Sequence, residues 1–146
     1  IPPEQVHEVL GSNSAICASD GGAANNMGSF GYLICDGKYN VVLKGNGPVF
    51  GYKPSSYRSE AFGVLALVRI IYQLTSYYGG IENLEIKHFM DNKAVINQLS
   101  QLIPRKYENA NDVFLSEWDV LAEVKSAVKK FNATLDIDVV LVKRIR

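Results

Sequence analysis

Three carboxylates stand where a carboxylate is locally out of place. Asp20 closes the apolar run "AICAS", Glu60 opens the apolar stretch "AFGVLALV", and Asp91 closes "LEIKHFM". An acid in such a setting is costly unless a cation or a hydrogen-bond donor meets it. If the three converge, they cannot all stay ionised without positive charge between them. Oxygen donors with neither Cys nor His beside them favour Mg2+ or Mn2+ over zinc. Two such ions side by side are a standard device for phosphodiester cleavage, one activating water and the other stabilising the leaving oxygen.

Each acid also has a plain structural reading. Asp20 could start an Asx-type turn, Glu60 could be favoured by the dipole at a helix N-terminus, and Asp91 could help to cap a helix beginning at Asn92. Singly, these readings compete with metal ligation; the pattern of all three together is what points to chemistry.

Whether the acids can meet depends on the elements that carry them. Residues 15–19 and 28–36 read as two strands joined by a Gly/Ala/Asn turn, and 39–44 as a third. The stretch "GNGPVFGYKPSS" is punctuated as a loop. Ser55 or Ser56 offers an N-cap, and Ala61, Val64, Leu65, Val68 and Ile71 keep helical spacing within a helix over 57–78. A fourth strand over 84–90 runs into Asp91. Asn92 then caps a second helix with the stripe Val95, Leu99, Leu102 and Ile103, closed by Pro104. A third helix from residue 116 carries Val120, Leu121, Val124, Val128 and Phe131 on one face, and 135–142 is the last strand. The polar lead-in 1–14, with its two prolines, is a short helix or a linker end.

The order β-β-β-α-β-α-α-β predicts an α/β fold: a mixed five-stranded sheet, an antiparallel three-stranded meander followed by parallel strands, flanked by helices. The parallel strands are reached through right-handed crossovers. With the first and fourth strands as parallel neighbours, Asp20 and Asp91 emerge near the same sheet edge. The first turn of the long helix can then lower Glu60 towards them.

Composition excludes several classes. The chain of 146 residues is long enough for one domain with a core, and its 47% hydrophobic and 21% charged residues are those of an ordinary globular protein. Fifteen basic residues balance fifteen acidic ones, so global charge advertises no nucleic-acid partner and any such binding rests on a local patch. No apolar run reaches the roughly 18 residues of a membrane span, and no signal-peptide pattern opens the chain. Cys17 and Cys35 fall in neighbouring strands and read as buried free thiols of a reducing, intracellular compartment, cytoplasm or nucleus. The chain opens on Ile1 rather than Met, which reads as a piece of a longer polypeptide.

The segments "SDGGA…GSFGYLI", "SSYRSEAFGVLALV" and "FMDNKAVI", in this order, resemble the ribonuclease H domains, most of all those attached to the reverse transcriptases of retroelements such as retrotransposons. "SEWDVLAEVKSAVKKF" followed by "LDIDVVLVK" is similar to the family's late helix and last strand, so the resemblance covers nearly everything from residue 15. It implies that Asp20, Glu60 and Asp91 are catalytic ligands of two Mg2+ or Mn2+ ions. The implied reaction is endonucleolytic hydrolysis of the RNA strand of an RNA/DNA hybrid, leaving a 3′-hydroxyl and a 5′-phosphate. Gly21 and Gly22 would let a sugar–phosphate backbone come close, and Asn25, Asn26, Ser59 and Asn92 are the implied polar contacts. The implied partners are the hybrid and a covalently linked reverse transcriptase domain. Integrase-like relatives place their glutamate last, and proofreading-type exonucleases carry Asp-x-Glu on the first strand; neither pattern is present here.

The match has gaps. The family adds a fourth acid after the last strand, often beyond a Gly-His pair, and "VVLVKRIR" offers neither, so 15–146 reads as a domain truncated at its C-terminus or as an incomplete site. The basic handle is thin as well: Arg105 and Lys106 are diluted by acids, Lys129 and Lys130 close a helix, and Lys143, Arg144 and Arg146 make the densest cluster. The competing reading is a catalytically inactive ribonuclease H-like connecting or nucleic-acid-binding module.

Overall fold

The segment from Gly21 to Gly28 looks by composition like a turn, yet nearly all of it is strand. In the computed structural model, which describes residues 2–81, 83–106, 110–115 and 117–139, β1 (Ile16–Ala24) and β2 (Met27–Cys35) form one long antiparallel hairpin in unbroken register from Ile16↔Cys35 to Ala24↔Met27. The turn is only Asn25 and Asn26, with φ of 53° and 63°, a left-handed pair that asparagine tolerates and that matches the twist of a tight hairpin. The expected first strand, 15–19, is therefore too short, because small residues spell a turn locally while β2 supplies a full set of partners. Asp20 lies in mid-strand rather than at a strand end.

The same correction applies to the third strand. β3 (Val41–Val49) continues through Gly45-Asn46-Gly47-Pro48, which the sequence marks as loop. Gly45 and Gly47 pair with Tyr32 and Phe30, and a Cβ on either glycine would stand 2.5 Å or 2.9 Å from the facing ring. The aromatic rings occupy the space a side chain would need. Pro48 is tolerated because β3 is the edge strand of the sheet.

α2 (Ser56–Tyr78) follows, with Ser55 as N-cap accepting from the Arg58 N–H at 3.0 Å. Then come β4 (Glu85–Met90), α3 (Lys93–Leu102) capped by Asn92, a 3-10 turn at Ala110–Phe114, α4 (Trp118–Lys130) and β5 (Thr134–Val139). The sheet order is β3-β2-β1-β4-β5, with β4 parallel to β1 and β5 parallel to β4. This is the expected α/β architecture, a mixed five-stranded sheet flanked by helices. Residues 140–146, including Lys143, Arg144 and Arg146, lie outside the described residues.

α2 is buried on a broad stripe because it packs against β1 and β2 on one side and α4 on another. Val64, Val68, Leu99, Leu121 and Val124 are wholly buried in one core cluster, and Leu67 and Ile71 in a second. The second cluster takes in α1 (Pro3–Gly11), whose Val6 and Leu10 are 1% exposed. Nine residues are too few to hold a helix alone, and burial of two aliphatic side chains at roughly 1.5–3 kcal/mol each offsets that deficit. Cys17 and Cys35 are free thiols; they face Ile34 and Ile16 across the hairpin rather than each other. Burial, with Cys35 nearby, pushes the Cys17 thiol up to about 12, which makes it an inert core residue.

Candidate metal centre

The site is built by strand register and two glycines. β1 and β4 share only three rungs, Ile16↔Lys87, Cys17↔His88 and Ala18↔Phe89. Asp20 and Asp91, the latter just beyond the end of β4, each lie two residues past the last rung and so stand at the same level of the sheet. Beyond that rung β1 stays with β2 and leaves β4, so the acids flank the point where the two parallel strands part.

α2 brings the third acid by lying directly on β1. A Cβ on Gly21 would stand 2.5 Å from the Ser59 carbonyl carbon, 2.6 Å from its oxygen and 2.7 Å from the Glu60 nitrogen. No residue with a side chain fits there. Farther along α2, Gly63 packs on Ser19, where an added Cβ would meet the Ser19 Cβ at 3.1 Å. These two glycines seat the first turns of α2 against β1. The result is that ligand-capable oxygens of Asp20, Glu60 and Asp91 lie within 4.8 Å of one another. Glu60 is buried and the two aspartates are exposed, so the cluster has a carboxylate floor and an open mouth.

The donor set suits a hard divalent cation. It is all oxygen, with no His or Cys in the cluster, and three protein ligands leave an octahedral ion positions for water or phosphate oxygens.

The other residues singled out from the sequence fall in three places. Gly21 lies under α2, while Gly22 is open, with nothing within 4 Å of an added Cβ. Asn25 and Asn26 form the hairpin turn beyond the acids. Ser59 is wholly buried; its hydroxyl donates to the Ser55 carbonyl at 3.0 Å and faces Gly28. Asn92 caps α3 by accepting from the Val95 N–H at 3.2 Å. A groove of about 910 Å3 lies along the hairpin, lined by Gly22–Ala24, Met27–Phe30 and Asn46–Pro48. Of the basic candidates, Arg105 is spent on Asp112, both of whose oxygens it reaches at 2.9 Å.

Sequence reasoning gave two supporting residues no such part. His88 is wholly buried on β4, and its Nε2 shares a 2.7 Å hydrogen bond with the Ser19 hydroxyl, tying together the two strands that deliver Asp20 and Asp91. A histidine within an apolar strand was the only signal. The second is Arg58, beside Ser59 and Glu60, whose guanidinium bonds Glu117 and Asp119 at the start of α4.

Burial holds the His88 imidazole neutral, its pKa lowered from 6.5 to about 3. The unfolded chain takes up a proton below its ordinary value of about 6.5 while the folded chain does not, so stability is intact above that pH and drains away as pH falls towards 3. At pH 5 this one group is expected to cost about 2 kcal/mol. Urea unfolding of the parent and of His88→Gln at pH 7 and pH 5 checks it: the parent should lose about 2 kcal/mol more than the variant between the two. Equal losses would mean that His88 does not titrate as its burial requires.

No family model matches the sequence, and no curated protein matches it. Solved structures do match the fold. The N-terminal RNase H domain of a Mycobacterium tuberculosis protein superposes with a TM-score of 0.60 at 16% identity, over 89% of this chain and 84% of that one. The LC11 RNase H1, solved in complex with an RNA/DNA hybrid, gives a TM-score of 0.66 at 15% identity over 86% and 84%. A foamy viral protease–reverse transcriptase, solved with dsDNA, gives 0.65 at 10% identity over 92% and 87%. At such identities the likeness is one of fold, and the fold is that of ribonuclease H.

Proposed function

We propose that this chain is a metal-dependent endonuclease that hydrolyses the RNA strand of RNA/DNA hybrids, working intracellularly as part of a retroelement reverse transcriptase polyprotein. The convergence of Asp20, Glu60 and Asp91 within 4.8 Å carries this reading, on a fold shared with RNase H domains and with a viral reverse transcriptase. None of the helices among the described residues is long and apolar enough to cross a membrane.

In this reading Asp20, Glu60 and Asp91 would hold two Mg2+ or Mn2+ ions, whose chemistry would be to activate a water and to stabilise the leaving 3′-oxygen. The buried Glu60 fixes the floor, and the exposed Asp20 and Asp91 leave the mouth open to a phosphate. Three carboxylates repel phosphates until their charge is met, so hybrid engages the site productively only with metal present. Gly22 and the small residues of the groove give a sugar–phosphate backbone room to approach. Asn92 and the hairpin-turn asparagines are the proposed polar contacts, and contact with the 2′-hydroxyl is what selects RNA. Ser59, buried beneath Gly28, would act by shaping this wall. A chain of zero net charge takes affinity from its linked polymerase domain more than from its own surface.

The decisive experiment is incubation of the proposed longer polyprotein, rather than of these 146 residues alone, with a hybrid labelled on its RNA strand and Mg2+ or Mn2+. RNA fragments ending in a 3′-hydroxyl are expected, with duplex DNA left intact. A longer polypeptide that binds hybrid but never cuts it with either metal would establish the binding-module alternative instead, whereas feeble cleavage by the three acids alone would not, since a second ion would lack a ligand. Asp20→Asn gives an independent check without substrate. It removes one negative charge from the cluster and keeps its shape, so the metal-free protein should be as stable as the parent or more so. Metal at a hundred times its Kd stabilises a native protein by about 2.7 kcal/mol, and that gain should shrink in the variant. An equal rise in Tm for both proteins would remove Asp20 from the ligand set.

A further inference from the structure

Among the described residues, the side chain immediately before Ser59 and Glu60 joins two carboxylates and a backbone carbonyl. Arg58 donates from Nη1 to Glu117 Oε2 at 2.5 Å, and its fork reaches both oxygens of Asp119 at 2.9 Å. Its Nε donates to the Phe50 carbonyl at 2.6 Å, and its guanidinium lies 5.3 Å from the centre of the Phe62 ring. Only 13% of the side chain is exposed. One residue thus joins the loop before α2, the first turns of α2 and the start of α4.

The partners have adapted to it. Gly51 has φ of +138°, and a Cβ there would stand 2.6 Å from Arg58 Nε, so the loop can close on the guanidinium only with glycine. Glu117 holds the N-cap position of α4 in the left-handed region, φ 59°, and makes no capping hydrogen bond. A non-glycine residue there costs free energy unless its surroundings impose it; here its carboxylate is turned to Arg58. In the loop before α2, Phe50, Gly51, Tyr52 and Lys53 are all exposed, so the guanidinium is a main tie of that segment to the helix.

We infer that Arg58 is a positioning residue: by clamping the first turn of α2 to α4 and to the preceding loop, it holds Glu60 at the spacing from Asp20 and Asp91 that a divalent cation needs. This rests on the proposed metal-binding reading of the three acids. Arg58 acts through the backbone of Ser59 and Glu60, which rests on Gly21. A carboxylate that must meet two others within a few ångströms loses affinity for the ion when its helix turn is free to fray.

Calorimetric titration with Mn2+ alone, without substrate, tests this. Arg58→Ala should weaken Mn2+ binding about 10–100-fold, the range found when groups that orient metal ligands are removed. Arg58→Lys should recover only part of it, since one ammonium cannot serve both acids and the carbonyl. Val124→Ala, a cavity in the core beneath the same helices, should lower Tm while leaving Mn2+ affinity within about twofold, because it removes packing and no ligand-orienting contact. In cleavage assays the Arg58→Ala defect should lie in kcat at limiting metal, with KM for hybrid unchanged, and should fade with excess Mn2+. If Arg58→Ala does not fold, Asp119→Asn removes one arm of the fork and should show the same shift at smaller amplitude. Arg58→Ala or Asp119→Asn binding Mn2+ like the parent, with only a lower Tm, overturns the inference and leaves the metal site standing. A longer polypeptide that binds Mn2+ but cuts no hybrid overturns the proposed activity and leaves this inference to be decided by affinity; a parent that binds no Mn2+ overturns both.

Discussion

Asp91→Asn is expected to lower kcat for RNA cleavage by about a thousandfold while the hybrid still binds. The substitution keeps the shape of the side chain and removes one of the charges that would hold the ions. Metal stabilisation of the attacking and leaving oxygens contributes several kcal/mol, and each 1.4 kcal/mol is about tenfold in rate. Binding draws instead on backbone contacts spread along the groove and the surface, so KM for the hybrid should move by no more than about threefold. Single-turnover cleavage of end-labelled RNA, with hybrid affinity measured by anisotropy, separates the two effects. Asp136→Asn makes the same charge change on β5, outside the cluster, and should leave kcat within about twofold, as surface substitutions do. An Asp91→Asn protein that keeps a tenth or more of the parental rate would mean that the meeting of the three acids is not what drives the chemistry.

Gly21→Ala should have the largest effect on the fold for the smallest chemical change, a single methyl. All three atoms that its Cβ would meet, at 2.5–2.7 Å, are backbone atoms of Ser59 and Glu60, so no side-chain rotation relieves the clash. Either the first turn of α2 lifts from β1 or the strand bends. Overpacking of this kind costs about 1–3 kcal/mol, which in a domain of this size lowers Tm by roughly 2–12 °C. Because the Glu60 nitrogen is one of the atoms pushed away, the Mn2+-induced rise in Tm should be lost as well. Gly22→Ala is the matched comparison: nothing lies within 4 Å of its Cβ, and fewer unfolded conformations should make it neutral or slightly more stable. Thermal melts with and without Mn2+ decide the matter. If the two alanine variants melt together and respond alike to metal, α2 is not seated on β1 as described.

Much of the fold was legible in the residues. The stripe of α2, the Ser55 and Asn92 caps, the apolar run ending at Asp91 and the β-β-β-α-β-α-α-β order all follow from local pattern, because helical periodicity and capping are satisfied within a few residues. The glycine-rich stretches were misread for the same reason. Residues 21–24 and 45–49 look like turns because their own side chains are too small to signal a strand. They are strands because β2 supplies partners, with Tyr32 and Phe30 lying over Gly45 and Gly47. Asn25 and Asn26, singled out as substrate contacts, also carry the left-handed turn of the hairpin, and Ser59 is packed under it rather than exposed.

By itself the sequence determined which acids were candidates, since an isolated carboxylate beside an apolar run stands out on energetic grounds wherever the chain goes. Tertiary structure alone decided that they meet. Asp20 and Asp91 stand at the same level of the sheet because the parallel rungs of β1 and β4 set their register, and Glu60 joins them because Gly21 lets α2 touch the strand. No local pattern encodes a register between strands so far apart in the chain. Nor could local pattern tie Arg58 to Glu117 and Asp119, 59 and 61 residues away. Acids at the start of α4 read as ordinary responses to a helix dipole, and only when α4 lies against α2 do they become the partners that hold Glu60 in place.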